Sequence, residues 1–189
     1  MENDTPIKVY LTGPENSGKS ELLNQLNAHY QNLPSERLIV KSDQNPSWRY
    51  SIIKLKAFTF MEFTAGSYYL DIDFNVIVID LGTKDAFDEI KDSQKAVERF
   101  THRHYDTILL GNRRKYQPKT SFFSSLLSFS VKEDDFKGIS TEEAEKYALD
   151  HGWFYFETEI EKDPNIVGFI AKLDEANAKR LIQKSNEAI

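Results

Sequence analysis

One octapeptide limits what this chain can fold into more than any other feature: Gly13-Pro14-Glu15-Asn16-Ser17-Gly18-Lys19-Ser20. It follows an apolar β-type run, IKVYLTG, and opens a helical periodicity through ELLNQLNAHY. A Gly-x4-Gly-Lys-Ser loop between a strand and a helix is the pattern whose backbone N–H groups curl round phosphates. Gly13, Asn16, Ser17 and Gly18 would form the cradle. Lys19 would neutralise β- and γ-phosphate charge, and the Ser20 hydroxyl would ligate Mg²⁺. The competing reading is a strand-to-helix turn that merely favours glycine. Neither reading decides whether bond cleavage occurs.

Beyond the loop, β-type runs alternate with helical periodicities, as in an α/β domain built around a mainly parallel sheet. RLIVKS and YSIIKLKAFTF read as an antiparallel edge pair, with the turn-rich DQNPS between them. FNVIVID and DTILLG are continuous apolar runs suited to strands buried on both faces. Helical spacing marks Lys84 to His102, through Phe87, Ile90, Val97 and Phe100. Ser140-x-x-Glu143 reads as a capping box opening a helix through Ala148. WFYFET gives the last strand and Ile166 to about Lys184 the last helix. Six strands and four long helices are expected in one domain over residues 1–189, with an insertion at about 116–138.

Composition excludes several function classes. The 189 residues carry a net charge of −6, which offers no general attraction to nucleic acid. Cysteine is absent, so disulfides, thiolate metal sites, cysteine nucleophiles and prenyl or palmitoyl anchors are excluded. Glu2 stands where myristoylation needs glycine, and no signal-peptide layout or membrane-length apolar run is present. A cytoplasmic protein without a stable membrane anchor is expected.

The order of elements resembles that of Ras/Rab-type small GTPases over nearly the whole chain. The likeness is carried by the loop, FNVIVIDLGTKDAFDEI, DTILLGN and STEEAEKYALDHGWFYFET. It implies a P-loop NTPase of the Ras-like G-domain type, with a mostly parallel six-stranded sheet flanked by helices and with Mg²⁺ and GTP as ligands. The family's remaining motifs depart from pattern here. Phe63-Thr64-Ala65-Gly66 places a ring where the metal-positioning Asp of Asp-x-x-Gly belongs, and Ser67 follows where a water-orienting glutamine is expected. No Thr lies between Glu21 and Ala57, leaving Ser35, Ser42, Ser47 and Ser51 as stand-ins for the first switch.

The resemblance gives the guanine-reading positions as Asn112, Lys115 and Thr158. Asn112-Arg113-Arg114-Lys115 stands for Asn-Lys-x-Asp, so a cation replaces the carboxylate that accepts two hydrogen bonds from the base. Losing two charge-assisted bonds costs about 3–6 kcal/mol, or two to four decades of affinity. Thr158-Glu159-Ile160 stands for Ser-Ala-Lys. These departures imply a pseudo-GTPase with no catalytic residue and with weak or absent GTP hydrolysis. The rival is a slow GTPase or ATPase acting as a molecular switch, with Asp80 as a Walker-type Mg²⁺ ligand; the alternative for Asp80 is a cap on the next turn.

Other features have plainer readings. TSFFSSLLSFSV, 120–131, would form a helix with one apolar face, packed on the domain or docked elsewhere, or else a loop. His102 and His104 lack a third metal-ligating partner, the Arg113-Arg114-Lys115 cluster reads as a solvated loop, and Trp48 and Trp153 read as packing residues. SDQNPSWRYSIIKL, the short route from Gly66 to the next strand, and EEAEKYALDHGWFYFE resemble the alpha- and gamma-adaptin-binding protein family. That likeness implies a protein-binding module with a partner in membrane traffic or clathrin-adaptor assembly.

Overall fold

The computed structural model describes residues 5–31, 37–55, 71–101, 104–114, 138–162 and 164–187. Its strands are β1 (Ile7–Thr12), β2 (Arg37–Lys41), β3 (Arg49–Lys54), β4 (Phe74–Asp80), β5 (Asp106–Asn112) and β6 (Phe154–Thr158). Its helices are α1 (Lys19–His29), α2 (Ala86–Phe100), α3 (Thr141–Asp150) and α4 (Ile166–Glu187). The strands form one sheet in the order β2-β3-β1-β4-β5-β6. Only β2, at one edge, runs antiparallel, paired with β3 from Arg37↔Ile53 to Lys41↔Arg49. The segment 115–137, which holds nearly all of the expected insertion and the 120–131 run, lies outside the described residues, as do 56–70.

Side-chain alternation along the central strands sorts the core into two layers. Val76 and Val78 of β4 face one way, where Leu22, Leu23 and Leu26 of α1 and Phe169, Ile170 and Leu173 of α4 cover them. Ile77 and Ile79 face the other way, against Ile90 of α2 and Ala144 and Ala148 of α3. β4 is covered on both faces, which is why FNVIVID carries no polar alternation apart from Asn75. The Oδ1 of Asn75 accepts a 2.7 Å hydrogen bond from the Thr12 hydroxyl, while its Nδ2 is buried without a partner among the described residues.

Local chemistry sets the element ends. The Ser140 hydroxyl accepts from the Glu143 N–H at 3.1 Å, and the Glu143 carboxylate accepts from the Ser140 N–H at 2.8 Å. This reciprocal box satisfies two donors that would otherwise be orphaned at the start of α3. The turn joining β2 to β3 is organised by Ser42, whose hydroxyl oxygen accepts from the N–H groups of Gln44 and Asn45. Trp48 and Trp153 each pack, partly buried, against a core layer, as expected.

One buried polar cluster ties α4 to the β2–β3 edge. The Ser42 hydroxyl donates to Asp174 Oδ2 and the Tyr50 hydroxyl to Oδ1, both at 2.7 Å. All three residues are buried. Burial, with the hydrogen bond to Asp174, holds the Tyr50 phenol protonated well above the usual tyrosine range. No helix among the described residues is long and apolar enough to cross a membrane.

Candidate functional site

The Gly13–Ser20 loop leaves the C-terminal end of β1 and enters α1, as its spacing predicts. Gly13 (φ 117), Asn16 (φ 60) and Gly18 (φ 111) occupy the left-handed region. Gly13 is required twice over, since a Cβ there would stand 2.2 Å from the Val78 carbonyl oxygen. Lys19 folds back over the loop it follows. Its ammonium donates to the Gly13 carbonyl at 2.8 Å, to the Pro14 carbonyl, and at 3.4 Å to the Ser17 hydroxyl. Lys19 is 8% exposed, and burial pulls its pKa below the ordinary lysine value. A buried ammonium set inside a ring of backbone groups is chemically suited to an anion.

The Ser20 hydroxyl, the expected metal ligand, has a different neighbour. β3 runs parallel to β1 with Lys54 opposite Leu11, which brings the end of β3 beside the start of α1. From there the Lys54 ammonium donates to Ser20 Oγ at 3.2 Å. Asp80 is also committed: its Oδ1 accepts from the Gly82 N–H at 2.9 Å, and its Oδ2 lies 3.6 Å from Arg114 Nη1. The turn-capping reading of Asp80 is thus the geometry found. Mg²⁺ needs near-octahedral oxygen ligands at about 2.1 Å. The described residues do not fit it, because the Lys54 ammonium already engages the Ser20 hydroxyl. No group of three or more His, Cys, Asp or Glu side chains converges among them either.

The end of β5 is built as a clasp. Asn112 is wholly buried. Its Nδ2 donates to the Ser17 carbonyl at 3.1 Å, and its Oδ1 accepts from the Ile160 N–H at 3.2 Å. The amide thereby ties the phosphate loop to the segment after β6. Thr158 is buried, and its carbonyl accepts from the Arg113 N–H at 2.9 Å. Lys115 lies outside the described residues.

The solvated-loop reading of the basic cluster is wrong for both described arginines. The Arg113 guanidinium engages both carboxylate oxygens of Glu157, at 2.5 and 3.2 Å, and donates to the Thr141 hydroxyl at 3.1 Å. Burial opposes ionisation of Glu157. Hydrogen bonds from Arg113, Tyr155 and Thr141 outweigh it and hold the carboxyl below its ordinary range. Arg114 turns the other way. Its Nη1 donates to the Asn16 carbonyl at 2.6 Å, and its guanidinium sits among Asp80, Glu161 and Glu21. The sequence placed a cluster of like charge here; the fold splits it between two acidic nests.

The stand-ins for the first-switch threonine narrow as well. Ser42 lies beyond the Lys41↔Arg49 end of the edge pair, opposite the end of β3 that reaches the loop, and binds Asp174. Ser51 is buried within β3 and accepts from Arg37 Nε at 3.0 Å. Ser47 is exposed in the β2–β3 turn, and Ser35 lies outside the described residues. Phe63-Thr64-Ala65-Gly66, Ser67 and His102 also lie outside them. His104 is exposed and 3.8 Å from Asp106. Sequence reasoning missed Lys54 and Arg114 as loop neighbours. The signal for Lys54 was its place as the last residue of a strand parallel to β1.

No curated protein matches the chain. The Ras family model matches residues 58–178, from just before Phe63-Thr64-Ala65-Gly66 into α4. That span begins after the phosphate loop, so the match and the loop geometry rest on different residues. Members of that family generally bind GTP and Mg²⁺. The match covers well over half of the chain and agrees with the sheet of one antiparallel edge strand and five parallel ones: the chain belongs to the Ras family.

Proposed function

We propose that this chain is a pseudo-GTPase, a Ras-fold module that acts by binding a protein partner and hydrolyses GTP weakly or not at all. The supporting observation is the clasp at the end of β5. Asn112 spends its amide on the Ser17 carbonyl and the Ile160 N–H, and Arg113 and Arg114 are held in ion-paired clusters. The next residue in the sequence is Lys115, which offers donors where guanine needs an acceptor. The Asn112 amide and the Arg113 and Arg114 guanidinium groups serve the fold rather than a purine. The resemblance to the adaptin-binding family favours a partner in membrane traffic or clathrin-adaptor assembly; this rests on analogy with that family.

The second reading, a nucleotide-binding switch, draws support from Lys19, buried and aimed into an intact cradle. Calorimetry with Mg·GTP, Mg·GDP and Mg·ATP separates the two. The pseudo-GTPase reading predicts guanine and adenine nucleotides within about tenfold of each other in affinity, or no binding of either. A preference for GTP over ATP of about a hundredfold or more would overturn it.

A further inference from the structure

The Lys54–Ser20 contact reaches beyond a loss of base selection. Two lysines converge at the start of α1, Lys19 as its first residue and Lys54 from the end of β3. Lys19 is held by the loop's own carbonyls, while Lys54 arrives from the end of β3 and hydrogen-bonds the Ser20 hydroxyl. Bound phosphate oxygens need positive charge on the Ser20 side of the cradle, which a divalent cation coordinated by that hydroxyl would supply. Here the charge belongs to a side chain, and a dication placed against the same hydroxyl would be repelled by it. Asp80 does not restore a metal site, because its oxygens face the Gly82 N–H and Arg114.

We propose that Lys54 takes the metal's place, so that the loop binds a diphosphate group without any divalent cation. The Lys54 ammonium then meets the phosphate oxygen on the Ser20 side, and Lys19 meets the oxygens over the loop. This deepens the pseudo-GTPase reading: it rests on that reading's loss of catalytic machinery and adds that the surviving loop still holds phosphate. Its readout is metal dependence, which can fail independently of hydrolysis.

The test is calorimetric titration of the full chain with GDP and with inorganic pyrophosphate, each in excess EDTA and in excess Mg²⁺. At least one ligand should bind with EDTA and Mg²⁺ affinities within about threefold. Lys54→Ala should weaken binding in EDTA by about tenfold or more, while Lys54→Arg, which keeps the charge, should retain most of it. Preference for GDP would name a nucleotide as the source of the diphosphate, and equal binding would name free polyphosphate; either supports the proposal. The proposal is overturned by tightening of about tenfold or more on adding Mg²⁺, by undetectable binding of both ligands in both conditions, or by Lys54→Ala binding as the parent does. Brisk GTP hydrolysis with metal-independent binding would instead sink the pseudo-GTPase reading and leave the role of Lys54 standing.

Discussion

Gly13→Ala is expected to cost about 4 kcal/mol or more of folding stability, a large share of the total for a domain of this size. The added methyl would stand 2.2 Å from the carbonyl oxygen of Val78 and 3.1 Å from its carbonyl carbon. Both are backbone atoms of the central strand β4, which is paired on both sides and cannot step away. The φ of 117° adds strain that no rotamer change relieves. Urea denaturation of the variant beside the parent measures the loss, and a difference below about 1 kcal/mol would contradict the packing described. This glycine would be needed even if nothing bound the loop, so its presence alone does not argue for nucleotide turnover. By contrast, a Cβ at Gly18 would meet the Asn112 side-chain amide at 2.5 Å and Ile160 Cδ1 at 3.1 Å. Those neighbours belong to the clasp rather than to a strand backbone.

Asp174→Ala should be the next most damaging change, at about 3–5 kcal/mol. Asp174 accepts the hydroxyls of Ser42 and Tyr50, each at 2.7 Å, in a buried setting. Truncation leaves the Tyr50 hydroxyl without its acceptor where water cannot replace it, and opens a void between α4 and the β2–β3 edge. Ser42 suffers less, because its oxygen still accepts from the N–H groups of Gln44 and Asn45. Asp174→Asn keeps the shape and one carbonyl acceptor, so it should cost about half as much. Thermal melts of the two variants should therefore separate clearly, and equal loss in both would show that the hydroxyl pair is not what the carboxylate supports.

What could be read in advance divides along a physical line. The phosphate loop, the capping box at Ser140, the doubly buried β4 and the antiparallel edge pair were legible because each is written in residues close together in sequence. The contacts that surround the loop and fasten the sheet edge are not local. Lys54 and Ser20 are 34 residues apart, Arg114 and Asn16 are 98 apart, and Asp174 and Ser42 are 132 apart. Each depends on strand register, and register emerges only when the sheet assembles. Reading Arg113 and Arg114 as one solvated patch failed for the same reason. Adjacent residues leaving β5 point to opposite sides, so the two met different acidic partners, Glu157 on one side and Asp80 with Glu161 on the other. Asn112 matched the base-reading motif by position, and only the folded chain shows its amide spent on Ser17 and Ile160.

Phosphate release from excess Mg·GTP by the purified chain, followed over many turnovers, is the most direct measurement of lost hydrolysis. The expected release is slower than about 10⁻⁴ s⁻¹, below the intrinsic turnover of a Ras GTPase. Sustained release at about 3 × 10⁻⁴ s⁻¹ or faster, the intrinsic rate of a competent Ras GTPase, would contradict the loss of catalytic machinery.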